Sequence, residues 1–372
     1  MHLRYYVSDP GYGHASRAIA LIRELRRLSP DLSISVRTLI PASYIRNSLG
    51  ALDVQVTESA NDLDLRFDAG LYCDLDHAYR ENIEKFSSRL ETILREEREF
   101  CIRRKVDLVV SDIACYPFHL ASELEIPSIA VASFVWSWFL RKLLNDKDSH
   151  VREVTGTMDE FYGSAVEGFA LPFSSDLSSL KTLRKTSLLV KETTRGPNEV
   201  RGALGFKDTD FLIFFTGGFT LPWPTLVQKL SKIVSKTGEL KLILSSNASI
   251  PDVQNVRKIP GSDMEIQDYV AASDLVVSKP GHSIISESVA YRVPLILTLP
   301  TKHPEWQSNL NQLVSTGLAT SLPFKEFETF SWLNSVKELR EMIQGQRQNQ
   351  LLYAKSGSFE IASSLIEDYN LS

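Results

Sequence analysis

Residues 278–309 read SKPGHSIISESVAYRVPLILTLPTKHPEWQSN, and the segment 274–278 that leads into them reads DLVVS. A short apolar run rich in β-branched residues predicts a buried strand over 274–278. Pro280 and Gly281 break it. His282 and Ser283 then open a helix. The first turn of a helix has backbone N–H groups without helical partners and carries a partial positive charge, so it suits a phosphate. Glu287 sits one turn in, where a carboxylate can accept hydrogen bonds from sugar hydroxyls. Residues 293–299 predict the next strand, and a loop with Glu305, Gln307 and Asn309 follows. An ordinary βαβ unit with a surface carboxylate has the same pattern, so the rest of the chain must decide.

This order of parts resembles the donor half of GT-B nucleotide-sugar glycosyltransferases, in particular the family of the N-acetylglucosaminyltransferase of peptidoglycan synthesis. The resemblance implies that the helix start at Gly281, His282 and Ser283 holds a diphosphate. It also implies that Glu287 binds the ribose and that Glu305 and Gln307 face the donor sugar.

At 372 residues the chain suits two domains, and 43% hydrophobic with 23% charged residues is an ordinary globular composition. The net charge of −5 gives no reason to expect nucleic acid. Cys73, Cys101 and Cys115 have no metal-ligand spacing and read as thiols in a reducing compartment. The segment HLRYYVSD runs straight into a strand, with no secretory leader, and no apolar run reaches membrane-spanning length. A cytoplasmic protein with at most peripheral membrane contact is expected.

The first strand covers 3–8. Gly11, Tyr12, Gly13 and His14 form a turn, and a helix over 15–28 follows with Ile19, Ile22 and Leu25 at helical spacing. A dinucleotide-binding fold starts in the same way, but GYGHAS lacks the third glycine and no acidic residue closes the next strand. His14 stands at the carboxyl end of a first parallel strand, where α/β ligand crevices form, and a histidine can take a proton near neutral pH. A helix cap or a phosphate contact is the other reading. Residues 106–111 form a strand ending in Asp112, which either caps a helix or orients His14. Residues 79–105 read as a long charged helix and 58–77 as acidic and irregular.

The stretches GYGHASR and VVSDIACYPFHLASELEIPSIAVASF resemble the acceptor domain of GT-B enzymes, which implies that His14 is the general base and Asp112 its partner. The segments VSDPGYGHASR, KVDLVVSDIA, SFVWSWF, FFTGG, AASDLVVSKPG and SESVAYRVP also resemble the glycosyltransferase-like part of plant arabinokinases. That similarity covers nearly the whole chain, without the sugar-kinase part. Trp136 and Trp138 in FVWSWF offer rings that could stack on an acceptor sugar, or else form core.

The strand over 211–215 ends in Thr216, Gly217 and Gly218, a tight turn or a place where backbone N–H groups approach a diphosphate. The segment around Ile266 matches the family segment whose backbone pairs with the nucleobase, and Gly13 is counted with the donor contacts. Residues 346–369 read as one final helix. Asp-x-Asp pairs at Asp62 and Asp64, Asp74 and Asp76, and Asp208 and Asp210 read as solvated surface, and no metal is expected.

The resulting expectation is an α/β chain with two Rossmann-like, doubly wound domains facing a cleft. Residues 1–190 bind the acceptor, 191–345 bind the nucleotide sugar, and a helix within 346–372 returns to the first domain. The implied reaction is inverting, metal-independent transfer from a nucleoside-diphosphate sugar, uridine-linked by resemblance, with no cofactor beyond that donor. The acceptor is a glycan, a lipid-linked group or a small molecule. A nucleotide-sugar hydrolase or epimerase, or a non-catalytic nucleotide-sugar binder, would fit the same fold.

Overall fold

The computed structural model describes residues 1–9, 11–63, 75–144, 148–216, 223–234, 236, 238–245, 255–261, 263–333 and 335–371. Their backbone divides into two compact units, one built from 1–66, 73–190 and 355–372 and the other chiefly from 191–354.

The first unit holds a parallel sheet of β1 (His2–Val7), β2 (Ser33–Thr38), β3 (Gln55–Glu58), β4 (Leu108–Asp112), β5 (Ser128–Ala132), β6 (Glu167–Ala170) and β7 (Leu183–Lys185). Its spatial order is β3-β2-β1-β4-β5-β6-β7. Every residue of β1 is buried, as expected for a central parallel strand covered on both faces. Arg4 is tolerated there because Glu97 accepts from its Nε and Nη2 at 3.1 Å each. Glu97 also accepts from Arg37 Nη1 and from the Tyr6 hydroxyl, both at 2.8 Å.

The second unit holds β8 (Phe211–Thr216), β9 (Leu240–Ser245), β10 (Val256–Lys258), β11 (Leu275–Ser278), β12 (Leu295–Thr298) and β13 (Ala319–Leu322). The order is β10-β9-β8-β11-β12-β13, again all parallel. Both sheets are doubly wound. The order reverses between β1 and β4 in the first and between β8 and β11 in the second. Ligands of open α/β sheets bind outside the carboxyl ends of the strands at such reversals.

Three local expectations are corrected. The first helix starts at Tyr12, not Ala15, because Gly11 at φ 89° takes a left-handed cap conformation that suits glycine. Gly13 and His14 therefore lie in the helix's first turn. Glu305 and Gln307 belong to the helix Pro304–Ser315 instead of a loop. Pro304 at its first position and the His303 ring as cap, accepting from Trp306 N at 3.4 Å, start it there.

The single helix expected over 346–369 is two helices, Gln346–Gln350 and Gly357–Tyr369. Gln346 exchanges amide hydrogen bonds with the backbone of Leu295, and Gln350 Nε2 donates to Val293 O at 3.0 Å, which fixes the short helix in the second unit. Gly357 N donates to Leu188 O at 3.1 Å. Ile361, Ala362 and Leu365 then join the core of the first unit beside Ile19, Ile22 and Leu25. Between the two helices, residues 351–356 are not helical.

Candidate active site

His14 lies in the first turn of the helix that follows β1, and Asp112 ends β4, the two strands that flank the first reversal. Val7 and Asp112 are register partners in adjacent parallel strands. His14 Nδ1 lies 2.7 Å from Asp112 Oδ1. The Asp112 side chain is fully buried, and that of His14 is 12% exposed. Burial alone would raise the Asp112 carboxyl. The guanidinium of Arg17, with His14 beside it, holds it instead at about 2. Ile113, immediately after Asp112, has φ 59°, a strained value for a β-branched residue. Its carbonyl accepts from the Tyr162 hydroxyl at 2.5 Å, which helps to hold the strand end in shape.

Sequence reading missed Arg17. Its Nε and Nη2 each reach Asp112 at 2.5 Å, to Oδ2 and Oδ1 respectively, and its Nη1 donates to Ser133 Oγ at 3.1 Å. The available signal was spacing, since residues i and i+3 of a helix share a face.

Behind this group, Trp136 is 2% exposed. Its Nε1 donates to Asp62 Oδ2 at 2.9 Å, and its ring meets Phe134 and Phe139 edge-on at 5.1 and 5.2 Å. The expectation of Trp136 as a stacking face for an acceptor is corrected: the ring is core, and its one polar atom is satisfied inside it. Trp138 is half-buried. Asp62, expected at the surface, is also buried. It accepts from Ser8 Oγ at 2.6 Å and from Asp9 N at 3.0 Å. Asp9 in turn accepts from the backbone N–H groups of Leu39, Asn61 and Asp62. Burial pushes both carboxyls above their usual range, and the Asp62 charge adds to this at Asp9. Nothing in the local sequence around Asp62 signals this clamp.

In the second unit, β8 ends at Thr216, and Gly217 and Gly218 lie outside the described residues. β11 ends at Ser278, and Gly281 caps the helix His282–Ala290. His282 and Glu287 are buried, at 7% and 5% exposure, and Ser283 is half-buried. Asn309 Nδ2 donates to Pro280 O at 2.9 Å and so fixes the turn before that helix. Lys279 Nζ sits 3.9 Å from the Trp306 ring centroid, and His303 stacks on the same ring. Burial lowers Lys279 to about 8 although Glu305 opposes the shift. Gln307 is exposed, and its Nε2 donates to Asn311 Oδ1 at 2.9 Å.

Ile266 opens the helix Ile266–Ala271. That helix is tied to the preceding segment by Asp268, which accepts from Thr194 N, Thr194 Oγ1 and Arg195 Nε at 2.7–2.9 Å. Lys191 Nζ donates to Met264 O at 2.6 Å on the same side.

Two doubly wound parallel sheets, with a histidine–carboxylate pair at one reversal and a glycine-capped helix start at the other, have the architecture of the GT-B fold. Residues 212–364 match the glycosyltransferase family 28 C-terminal domain. The L-arabinokinase of Arabidopsis thaliana is 25% identical over 293 residues, covering 78% of this chain and 27% of that protein. The chain thus spans about a quarter of the length of that curated relative. Among solved structures, Phytolacca americana UGT2 complexed with UDP-2fluoro-glucose and pterostilbene superposes with a TM-score of 0.68. It is 12% identical, and the match covers 99% of each chain. A UDP-glucosyltransferase from Polygonum tinctorium capable of glucosylating indoxyl gives 0.67 at 13% identity, over 100% of this chain and 98% of its own.

Proposed function

We propose that the chain transfers a sugar from a nucleoside-diphosphate sugar, uridine-linked, to an acceptor hydroxyl, with inversion and without a metal. The observation that carries this reading is the 2.7 Å contact of His14 Nδ1 with Asp112 Oδ1. A proton on Nδ1 donated to the carboxylate leaves the Nε2 lone pair free to take the acceptor proton. The acceptor oxygen then forms a bond to the anomeric carbon from the face opposite the diphosphate. The carbon–oxygen bond to the diphosphate breaks, and the leaving group keeps the electron pair. The first helix turn after Gly281 would face that developing charge with its N–H groups, and Glu287 would take the ribose hydroxyls. The donor class is supported by the neighbours named above, one complexed with UDP-2fluoro-glucose and the other a UDP-glucosyltransferase.

A thermal-shift screen of nucleotide sugars identifies the donor, because binding raises the apparent stability by mass action. NMR of the product from that donor and an acceptor panel, run with and without EDTA, then reads the anomeric configuration. An inverted product that survives EDTA is expected. Retention, metal dependence, or hydrolysis of the donor with no acceptor product would each overturn the corresponding part of the proposal.

A further inference from the structure

Arg17 belongs to the same helix as His14 and is buried, with its side chain 3% exposed. It grips both oxygens of Asp112 at 2.5 Å, so the carboxylate is held in one orientation. The oxygen turned to His14 is Oδ1. The same guanidinium also stands against the ring, with Nη2 2.8 Å from His14 Nδ1.

Two proton placements compete at Nδ1. The ring can donate from Nδ1 to Asp112, leaving Nε2 as the lone-pair nitrogen. Alternatively, Nδ1 can accept from Arg17, which puts the proton on Nε2 and removes the base. Both bonds would have an ionised partner, and the Nδ1–Oδ1 contact is the shorter, at 2.7 Å against 2.8 Å. The second placement would also set the Nδ1 lone pair against an anionic oxygen 2.7 Å away, so the first placement is favoured.

We propose that Arg17 is a positioning residue for the His14 base. Its fork fixes Asp112 so that one oxygen selects the Nδ1–H tautomer, and its positive charge beside Nδ1 offsets the Asp112 anion there. This rests on the reading of His14 as the base. Asp112 and Arg17 together bring no net charge to the ring, whereas Asp112 alone would bring a full negative one. Among the described residues, the charged groups acting on His14 are Asp112 at the end of β4, Arg17 on its own helix and, more remotely, Asp62 after β3. The Phe134 ring, 6.3 Å away edge-on, adds no charge.

The test is nitrogen-15 NMR of the histidine-labelled full chain, parent against Arg17→Met and Arg17→Lys, alongside pH–rate profiles. The parent ring should show the Nδ1–H tautomer. In Arg17→Met the pH at which the ring takes its second proton should rise by about one unit or more, because a cation in contact has been removed. The acid limb of the rate profile should follow, with donor KM within a factor of a few. Arg17→Lys, which keeps the charge but not the fork, should lower kcat with a much smaller move of that limb.

An Nε2–H tautomer in the parent overturns the proposal. An unmoved midpoint in Arg17→Met does so too. A midpoint that moves in a protein that transfers no sugar supports the hold of Arg17 on the ring while ending the transferase reading. If Arg17→Met does not fold, Arg17→Gln, neutral but still able to donate to Asp112, is read by the same shift.

Discussion

Val7 and Asp112 sit side by side in register on β1 and β4, and Ser8 N donates to Asp112 O at 3.2 Å just beyond them. The point where the sheet order reverses therefore places a buried carboxylate beside the helix that follows β1. His14 reaches it because Gly11 turns the chain back within a few residues. The proximity of His14 to Asp112 is thus a product of topology and one left-handed glycine.

The first prediction concerns that pair. His14→Ala should abolish sugar transfer while donor affinity stays within a factor of a few, since a base acts on the acceptor proton. Asp112→Asn should lower turnover strongly, because an amide no longer stabilises the charged ring, and should also lower stability, because it takes the counter-charge from buried Arg17. Steady-state kinetics and calorimetry on the same preparations check both. Transfer at the parent rate by His14→Ala would remove the base role.

The second concerns the donor. Glu287 is buried at the helix that follows the Gly281 turn. If it accepts from ribose hydroxyls, Glu287→Ala should weaken nucleoside-diphosphate binding by roughly 1–3 kcal/mol, the cost of leaving polar partners unmatched. Unchanged affinity in calorimetry would sink the ribose role.

The apolar runs 106–112 and 274–278 were legible as strands because buried parallel strands need little else than β-branched residues. His14 and Asp112 were legible for a related reason: Asp112 ends such a run, and His14 opens the helix after another. Arg17 was not, since an arginine on an amphipathic helix reads as surface, and only the tertiary fold supplies a carboxylate to bury it with. Trp136 misled because stacking platforms and cores both use large rings. Its Nε1 bond to Asp62 spans 74 positions in the chain, beyond the reach of any local pattern. Glu305 and Gln307 were misplaced in a loop although Pro304 is a recognised helix-start residue.

The third prediction concerns buried charge in the first unit. Glu97 is 2% exposed and answers two buried arginines, Arg4 and Arg37. Glu97→Gln should cost about 3–5 kcal/mol of stability, because removing one partner leaves uncompensated charge in the core. Urea unfolding followed by far-ultraviolet circular dichroism measures it. A loss under about 1 kcal/mol, the range of exposed pairs, would mean that water reaches the network.

The fourth follows from Lys279. Its ordinary value is 10.5, and burial lowers it to about 8 in the folded chain. Between those values the unfolded chain holds more protons than the folded one, so the residue's contribution to stability rises with pH across that window. Below it, the folded chain carries a desolvated cation at a net cost. Lys279→Met should therefore gain on the parent at pH 7, and the gap should narrow as pH rises from about 8 towards 10.5. A gap that is flat with pH would show that Lys279 is solvated.

The last concerns the return of the chain to the first unit. Replacing glycine with alanine inside an exposed helix normally helps by up to about 1 kcal/mol. At Gly357 the sign should reverse. A Cβ there would stand 2.4 Å from Ser187 O and 2.8 Å from the Leu188 carbonyl, and backbone atoms cannot swing aside as a flexible side chain can. The helix Gly357–Tyr369 would have to back away from residues 187 and 188. That would strain the Gly357 N–Leu188 O bond and the bonds of Glu360 to Ser187 N and Oγ at 2.9 and 2.6 Å. Gly357→Ala should thus destabilise the first unit by roughly 1–3 kcal/mol, as overpacking does. Hydrogen exchange should show the loss in the amides of that helix, with those of β8 to β13 unchanged. Equal or greater stability in the variant would mean that the helix start adjusts freely, and Gly357 would then owe its place to something other than this contact.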